Sequence, residues 1–188
     1  ALDCAVDLYQ SIKMMKQDIF PKGAIVGAIF TQAGTAPNVV TDKATLRMTV
    51  RGATVSDLED IILPAIKAAA NCIATSYGAT VDMHHYEPLF KDMRQDERLV
   101  SLFDEVMTEL GESPRKLPPD EADGSTDVGN VSYEVPTAQP TLNIGNQLEA
   151  HTPEFACAAG SPYGLDQAIK GAKIMAVVAL RYAESLEV

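Results

Sequence analysis

"VVTDKATLRMTVRG", residues 39 to 52, alternates. Ala44, Leu46, Met48 and Val50 fall on one side; Thr45, Arg47, Thr49 and Arg51 fall on the other. A period of two with one apolar side is the signature of a half-buried strand. Its neighbours take their places around it. Upstream, "AIVGAIFTQAG" (24–34) is apolar and β-like, and "GTAPN" (34–38) has turn chemistry.

Working outward, residues 1 to about 19 read as an amphipathic helix, because Leu2, Val6, Tyr9 and Ile12 recur at three- and four-residue steps. "FPKG" (20–23) ends it. Downstream, "TVSDLEDIILPAIKAAANCIATSYG" (54–78) reads as a helix. Ser56 with Glu59 forms a candidate capping box, Pro64 a candidate kink and Gly78 a natural stop. "TVDMHHYEPLF" (80–90) then reads as a strand. The order is α-β-β-α-β. One strand in front would make it βαββαβ, the ferredoxin-like split pattern. That absent strand, and a helix that opens at the first residue, lead to the expectation that the chain is part of something longer.

From about residue 93 the character changes. "DERLVSLFDEVMTELG" (96–111) is an amphipathic helix with Gly111 as its stop. A long loop rich in Pro, Asp and Gly follows (112–130), of a kind that is usually functional or disordered. "TAQPTLNIGN" (137–146) has room for a short strand. "LDQAIKGAKIMAVVALRYAE" (165–184) is a helix apolar on most sides, so it is expected to be well buried.

The totals exclude some functions. The 188 residues carry 26 acidic and 15 basic side chains, a net charge of -11. Nucleic-acid binding is disfavoured, because neutralising phosphates needs a basic face. No apolar run reaches the roughly 20 residues of a membrane helix. There are 3 cysteines and no CxxC. A disulfide framework is therefore not expected; a reducing, cytoplasmic setting is, with Cys4, Cys72 and Cys157 as small core residues.

Four stretches offer chemistry. Asn38 stands where a turn enters a strand, as a plain turn residue or as an amide for a substrate carboxylate or a developing oxyanion. "DGSTDVGNVSY" (123–133) packs Asp123, Ser125, Thr126, Asp127, Asn130 and Ser132 together, either a solvated turn or the lining of a metal or substrate site. His84 and His85 are adjacent, so on a strand they point to opposite faces and do not easily share a metal. His151 precedes Thr152 and Pro153. Spacing alone leaves it either the residue before a capped helix or one ligand of a zinc ion.

Taken in series, "GAIFTQAGTAPNVVTDKATLRMTVR", "YEPLF", "GSTDVGNVSYEVPTAQPTLNIG" and "HTPEFACAAGS" resemble the C-terminal half of the M-twenty metallopeptidases. The likeness is to the amidohydrolase branch, with aminoacylase-like proteins, peptidase M-twenty domain-containing protein 2 and p-aminobenzoyl-glutamate hydrolase. The resemblance implies an α+β chain. Residues 1–92 would be a ferredoxin-like lid and dimerisation domain lacking its first strand. Residues 93–188 would be the C-terminal part of an α/β catalytic domain.

The resemblance also implies function. It points to hydrolysis of an amide or peptide bond in an N-acyl amino acid or dipeptide-like substrate. Two divalent metal ions, zinc or in some members manganese, would serve it in a homodimer joined through the lid. His151 matches the family's last metal-binding histidine and Asn38 its substrate-reaching lid asparagine. Ser125 and Asp127 match a segment lining the cleft. The other metal ligands and the general base would lie upstream of Ala1, so this chain alone is expected to be inactive. Val26 stands where relatives often carry His, Ala33 where they carry Gly, and Thr41 where they carry Pro. The alternatives are a non-catalytic dimerisation or ligand-binding module, and an inactive paralogue.

Overall fold

The structure is a computed structural model that describes residues 1–116, 124–145 and 148–186. It divides into two compact units, Ala1–Asp92 and Met93–Val188. It contains helices and one two-stranded sheet, a content compatible with α+β.

In the N-terminal unit, α1 (Leu2–Asp18) is followed by β1 (Ile25–Gln32) and β2 (Thr45–Arg51), which pair antiparallel. Ile25 lies opposite Arg51, Val26 opposite Val50 and Phe30 opposite Leu46, with an irregularity between Phe30 and Gln32. The alternation predicted for 44–51 holds. Leu46, Met48 and Val50 pack on the core, while Arg47, Thr49 and Arg51 are exposed. That core is Ile12, Phe20, Ala24, Val26, Leu58, Ile62 and Ile66.

The second helix starts differently from the expectation. Thr54 caps it: its Oγ1 accepts from the Asp57 N–H (3.1 Å), and the Asp57 carboxylate accepts from the Thr54 N–H (3.0 Å). This is the reciprocal logic of a capping box. Ser56 is already helical and makes no cap bond. A π-helical turn, Asp57–Ile62, then leads into α2 (Leu63–Ser76), with Pro64 in its first turn. Proline has no N–H to give the preceding turn, so the strain expected of Pro64 sits where the turn is widened. Gly78 (φ 62°) stops α2: the Ala79 N–H reaches the Ala74 carbonyl and the Gly78 N–H reaches that of Thr75, a Schellman motif.

The strand expected over 80–90 is not formed. Residues 79–90 run without regular secondary structure, and among the described residues the backbone groups of 80–88 make no hydrogen bond. A strand exists only as half of a pair, and apolar alternation cannot show whether the partner is present.

In the C-terminal unit, Asp96 caps α3 (Glu97–Glu109) by accepting from the Leu99 N–H at 2.9 Å. Gly111 (φ 84°) ends it in a second Schellman motif, with Glu112 N–H on the Met107 carbonyl. Two short helices follow, α4 (Val128–Val131) and α5 (Pro153–Ala159), then the long α6 (Pro162–Glu184). No strand occurs in this unit among the described residues, so the one expected within 137–146 is absent from its described part.

Helix α6 departs most from expectation. It buries Gly164, Gln167, Ile174 and Val178, and meets α3 through a core of Val106, Met107, Ile174 and Val178. The opposite face, Leu165, Ala168, Ile169, Ala172, Met175, Ala176, Ala179 and Leu180, is also apolar and is exposed. The cysteines also depart. Cys4 is half-buried, and Cys72 and Cys157 are exposed, because they fall on the outward sides of Ala-rich helices. Among the described residues no helix is long and apolar enough to cross a membrane.

Candidate functional site

His151 is positioned by the start of α5. Thr152 is the N-cap: its Oγ1 accepts from the Phe155 N–H (3.2 Å) and donates to the Glu149 carbonyl (2.7 Å). Pro153 sits in the first turn, its fixed φ suited to a helix start. The cap reading from sequence therefore holds. The residue before it carries an unexpected feature. His151 has φ 66°, and among the described residues it is the only non-glycine with positive φ. That left-handed conformation is disfavoured for L-residues by about 1–2 kcal/mol, less so for Asn, Asp and His. Strain of this kind gathers at functional sites. The imidazole is exposed and makes no hydrogen bond among the described residues, so both ring nitrogens are open to a ligand. Periodicity carries no information on φ; the run A-H-T-P, with the chain arriving at a capped helix, is the one local hint.

The loop of Ser125 and Asp127 is organised by their neighbours. Thr126 Oγ1 accepts from the Val128 N–H (3.3 Å), and the Asp127 carbonyl accepts from the Asn130 N–H (2.9 Å). Ser132 Oγ donates to the Gly129 carbonyl (2.6 Å) and accepts from the Arg94 N–H (2.9 Å). The Arg94 guanidinium lies 3.6 Å from the Tyr133 ring centre. Sequence reading missed this role of Ser132 in fixing the loop to the start of α3. The Ser125 and Asp127 side chains are exposed and make no hydrogen bond among the described residues. No bond or ion pair joins either to His151. Asp123 lies outside the described residues.

In the N-terminal unit, Asn38 sits in the turn between β1 and β2, exposed, beside Val39 and the almost fully exposed Val40. Its side chain is free of hydrogen bonds among the described residues. The base of the loop is clamped. Thr41 Oγ1 donates to the Ala33 carbonyl (3.4 Å), and the Ala1 α-amino group donates to the Thr41 carbonyl (3.0 Å). Ala33 and Thr41 are thus hydrogen-bonded to each other. Val26 is buried in the core of this unit. His84 and His85 are exposed on the extended segment, and His84 Nδ1 lies 3.6 Å from Asp82.

A catalytic zinc needs about three protein ligands. Among the described residues no three His, Cys, Asp or Glu side chains converge. His151 can give one ligand; the described residues do not by themselves fit a two-metal centre.

Likeness to known proteins adds to these local features. No family model matches the chain. Along 96% of its length it is 29% identical to the Xaa-Arg dipeptidase of Mus musculus and 28% identical to that of Homo sapiens. This similarity supports a relationship with peptidases. The chain covers 42% of the mouse protein and 41% of the human one, about two-fifths of the length of the curated relatives it matches.

Proposed function

We propose that this chain forms part of a metal-dependent hydrolase that cleaves the amide bond of an N-acyl amino acid or a dipeptide. The carrying observation is His151: a free imidazole held at φ 66° ahead of a capped helix, in a chain similar to dipeptidases over nearly its whole length. In this reading His151 supplies one ligand to a pair of divalent ions, zinc or manganese, and the complete protein supplies the rest. Such ions, when bound, polarise a carbonyl and lower the pKa of water. Asn38 donates its amide to the substrate carboxylate or the developing oxyanion. Ser125 and Asp127 line the substrate. The ferredoxin-like identity of residues 1–92, the catalytic-domain identity of 93–188 and dimerisation through the former belong to the same proposal, as does a cytoplasmic setting.

The test uses the protein expressed from the whole reading frame that encodes these residues. Hydrolysis of dipeptides ending in arginine, and of N-acyl amino acids, is assayed with zinc or manganese and after chelation. Turnover that chelation abolishes and metal restores is the expected result. Turnover indifferent to chelation, or none with a well-folded, metal-loaded protein, counts against the proposal.

A further inference from the structure

We propose that the corner between α5 and α6, closed on Gly164 and Ser161, sets the direction of His151, which makes Gly164 a positioning residue for the site. The inference rests on the reading of His151 as a metal ligand, and adds what holds that ligand in place.

Helix α5 cannot orient itself. It has 7 residues, fewer than the roughly 12–15 at which an isolated helix becomes even marginal. None of its residues is buried, so no core contact of its own fixes its direction. What fixes it lies at its two ends. At the start, Thr152 caps the helix directly after His151. At the finish, the Ala158 and Ala159 carbonyls lie against the first turn of α6.

That second contact is made on backbone. Gly164 is buried near the start of α6. A Cβ there would overlap the Ala158 carbonyl oxygen and come within 2.9 Å of the Ala159 carbonyl oxygen. Neither atom is the end of a flexible side chain, so room for a methyl group comes only from moving α5. Ser161 ties the same corner. Its Oγ donates to the Ala158 carbonyl (2.7 Å) and accepts from the Gly164 N–H (3.1 Å). One hydroxyl thus caps α6 and holds the end of α5.

The chain arriving at His151 is seated on the same helix. Leu148 lies over Gly145: a Cβ on Gly145 would be 2.6 Å from Leu148 Cδ1 and 3.8 Å from the Cβ of Ala158 in α5. His151 therefore sits between two segments that both bear on α5, and its ring follows that helix. Admitting a methyl group at Gly164 moves α5 by about 1 Å, and a misplacement of that size is enough to cost about a hundredfold in rate. The same corner contains its own control. Gly160 ends α5 at φ -87°, and a Cβ there would meet the Ala156 and Cys157 carbonyl oxygens at 3.9 Å, an ordinary contact.

The test uses the protein expressed from the whole reading frame, with zinc as the probe. It reads the zinc dissociation constant, and kcat and KM for a dipeptide ending in arginine. Gly164→Ala should weaken zinc binding and lower kcat, each by about tenfold to a hundredfold. KM should stay within about twofold, a split that a general loss of structure does not give. Gly160→Ala should change neither zinc affinity nor kcat. Ser161→Ala should weaken zinc in the same direction, and Ser161→Thr, which keeps both bonds, should restore it; this pair decides the matter if Gly164→Ala does not fold. Unchanged zinc affinity in a folded Gly164→Ala, equal losses in Gly160→Ala, or no difference between the two Ser161 variants overturns the proposal. His151→Gly separates the two claims. If it weakens zinc binding while Gly164→Ala does not, the corner does not aim the ligand and the ligand reading stands. If it leaves zinc binding unchanged, the ligand reading fails and this inference falls with it.

Discussion

The two units end their helices in the same way and build their cores differently. Gly78 and Gly111 stop α2 and α3 with the same pair of backbone bonds. Yet the N-terminal unit draws its core from α1, β1, the π-helical turn, α2 and the link between α1 and β1, while the C-terminal unit draws its buried core from α3 and α6. The first encloses Ile62 completely; the second leaves the far face of α6 bare. Local signals thus make good helices in both. What separates the units is how many distant elements arrive to cover them.

The largest stability effect expected from this contrast is in the cores. Ile62→Ala should destabilise the N-terminal unit by about 3–5 kcal/mol, because its surroundings are fixed by several elements. Ile174→Ala should cost about 2–3 kcal/mol, because a core beside a bare helix face relaxes more easily into the space. Urea unfolding of each variant checks this; equal costs would break the contrast.

The shared helix stops should behave alike. Gly78→Ala and Gly111→Ala force a Cβ into positive φ, and each should cost about 1–2 kcal/mol. Space is not the cause, since a Cβ at either position would meet nothing within 4 Å. Thermal unfolding of the pair sharpens the comparison: similar losses in both units confirm that the local devices are equivalent.

A smaller effect separates the observed cap from the expected one. Thr54→Ala should cost about 1 kcal/mol. Ser56→Ala, which removes no cap bond, should change stability by no more than about 0.5 kcal/mol. The reverse ranking would restore the Ser56 box.

The smallest effects are the pH signatures. In the C-terminal unit, hydrogen bonding to Arg181 lowers the Glu109 pKa. This contribution is present above the carboxylate's unfolded value and lost as pH falls through the folded one. In the N-terminal unit, the hydrogen bond to Asp7 (2.6 Å) raises the Tyr77 pKa. Its contribution is full below the phenol's unfolded value and lost as pH rises through the folded one. Glu109→Gln should flatten the acid limb of the stability profile and Tyr77→Phe the alkaline limb. Both groups are exposed, so both effects are small.

Much of this was legible in the sequence. Period two at 44–51, period 3.6 in α1 and α3, and the two glycine stops are written in nearest neighbours. Thr152 and Pro153 are legible for the same reason. What was not legible depends on partners. The 80–90 stretch has a strand's composition and no mate. Helix α6 has two apolar faces and one cover. Cys72 and Cys157 lie on faces whose direction only packing decides. The backbone angle of His151 is invisible to any pattern of side chains, and it is the structural fact that most singles out that residue.

One measurement tests the central claim about His151 most directly. A residue kept at positive φ for stability alone would be no worse as glycine. In the protein expressed from the whole reading frame, His151→Gly should leave the melting temperature unchanged or raised, because the strain is relieved. The same variant should lose metal-dependent hydrolysis by about a hundredfold or more, because a ligand is gone. Hydrolysis retained at the level of the unsubstituted protein, with metal bound as before, would contradict the assignment of His151 as a metal ligand.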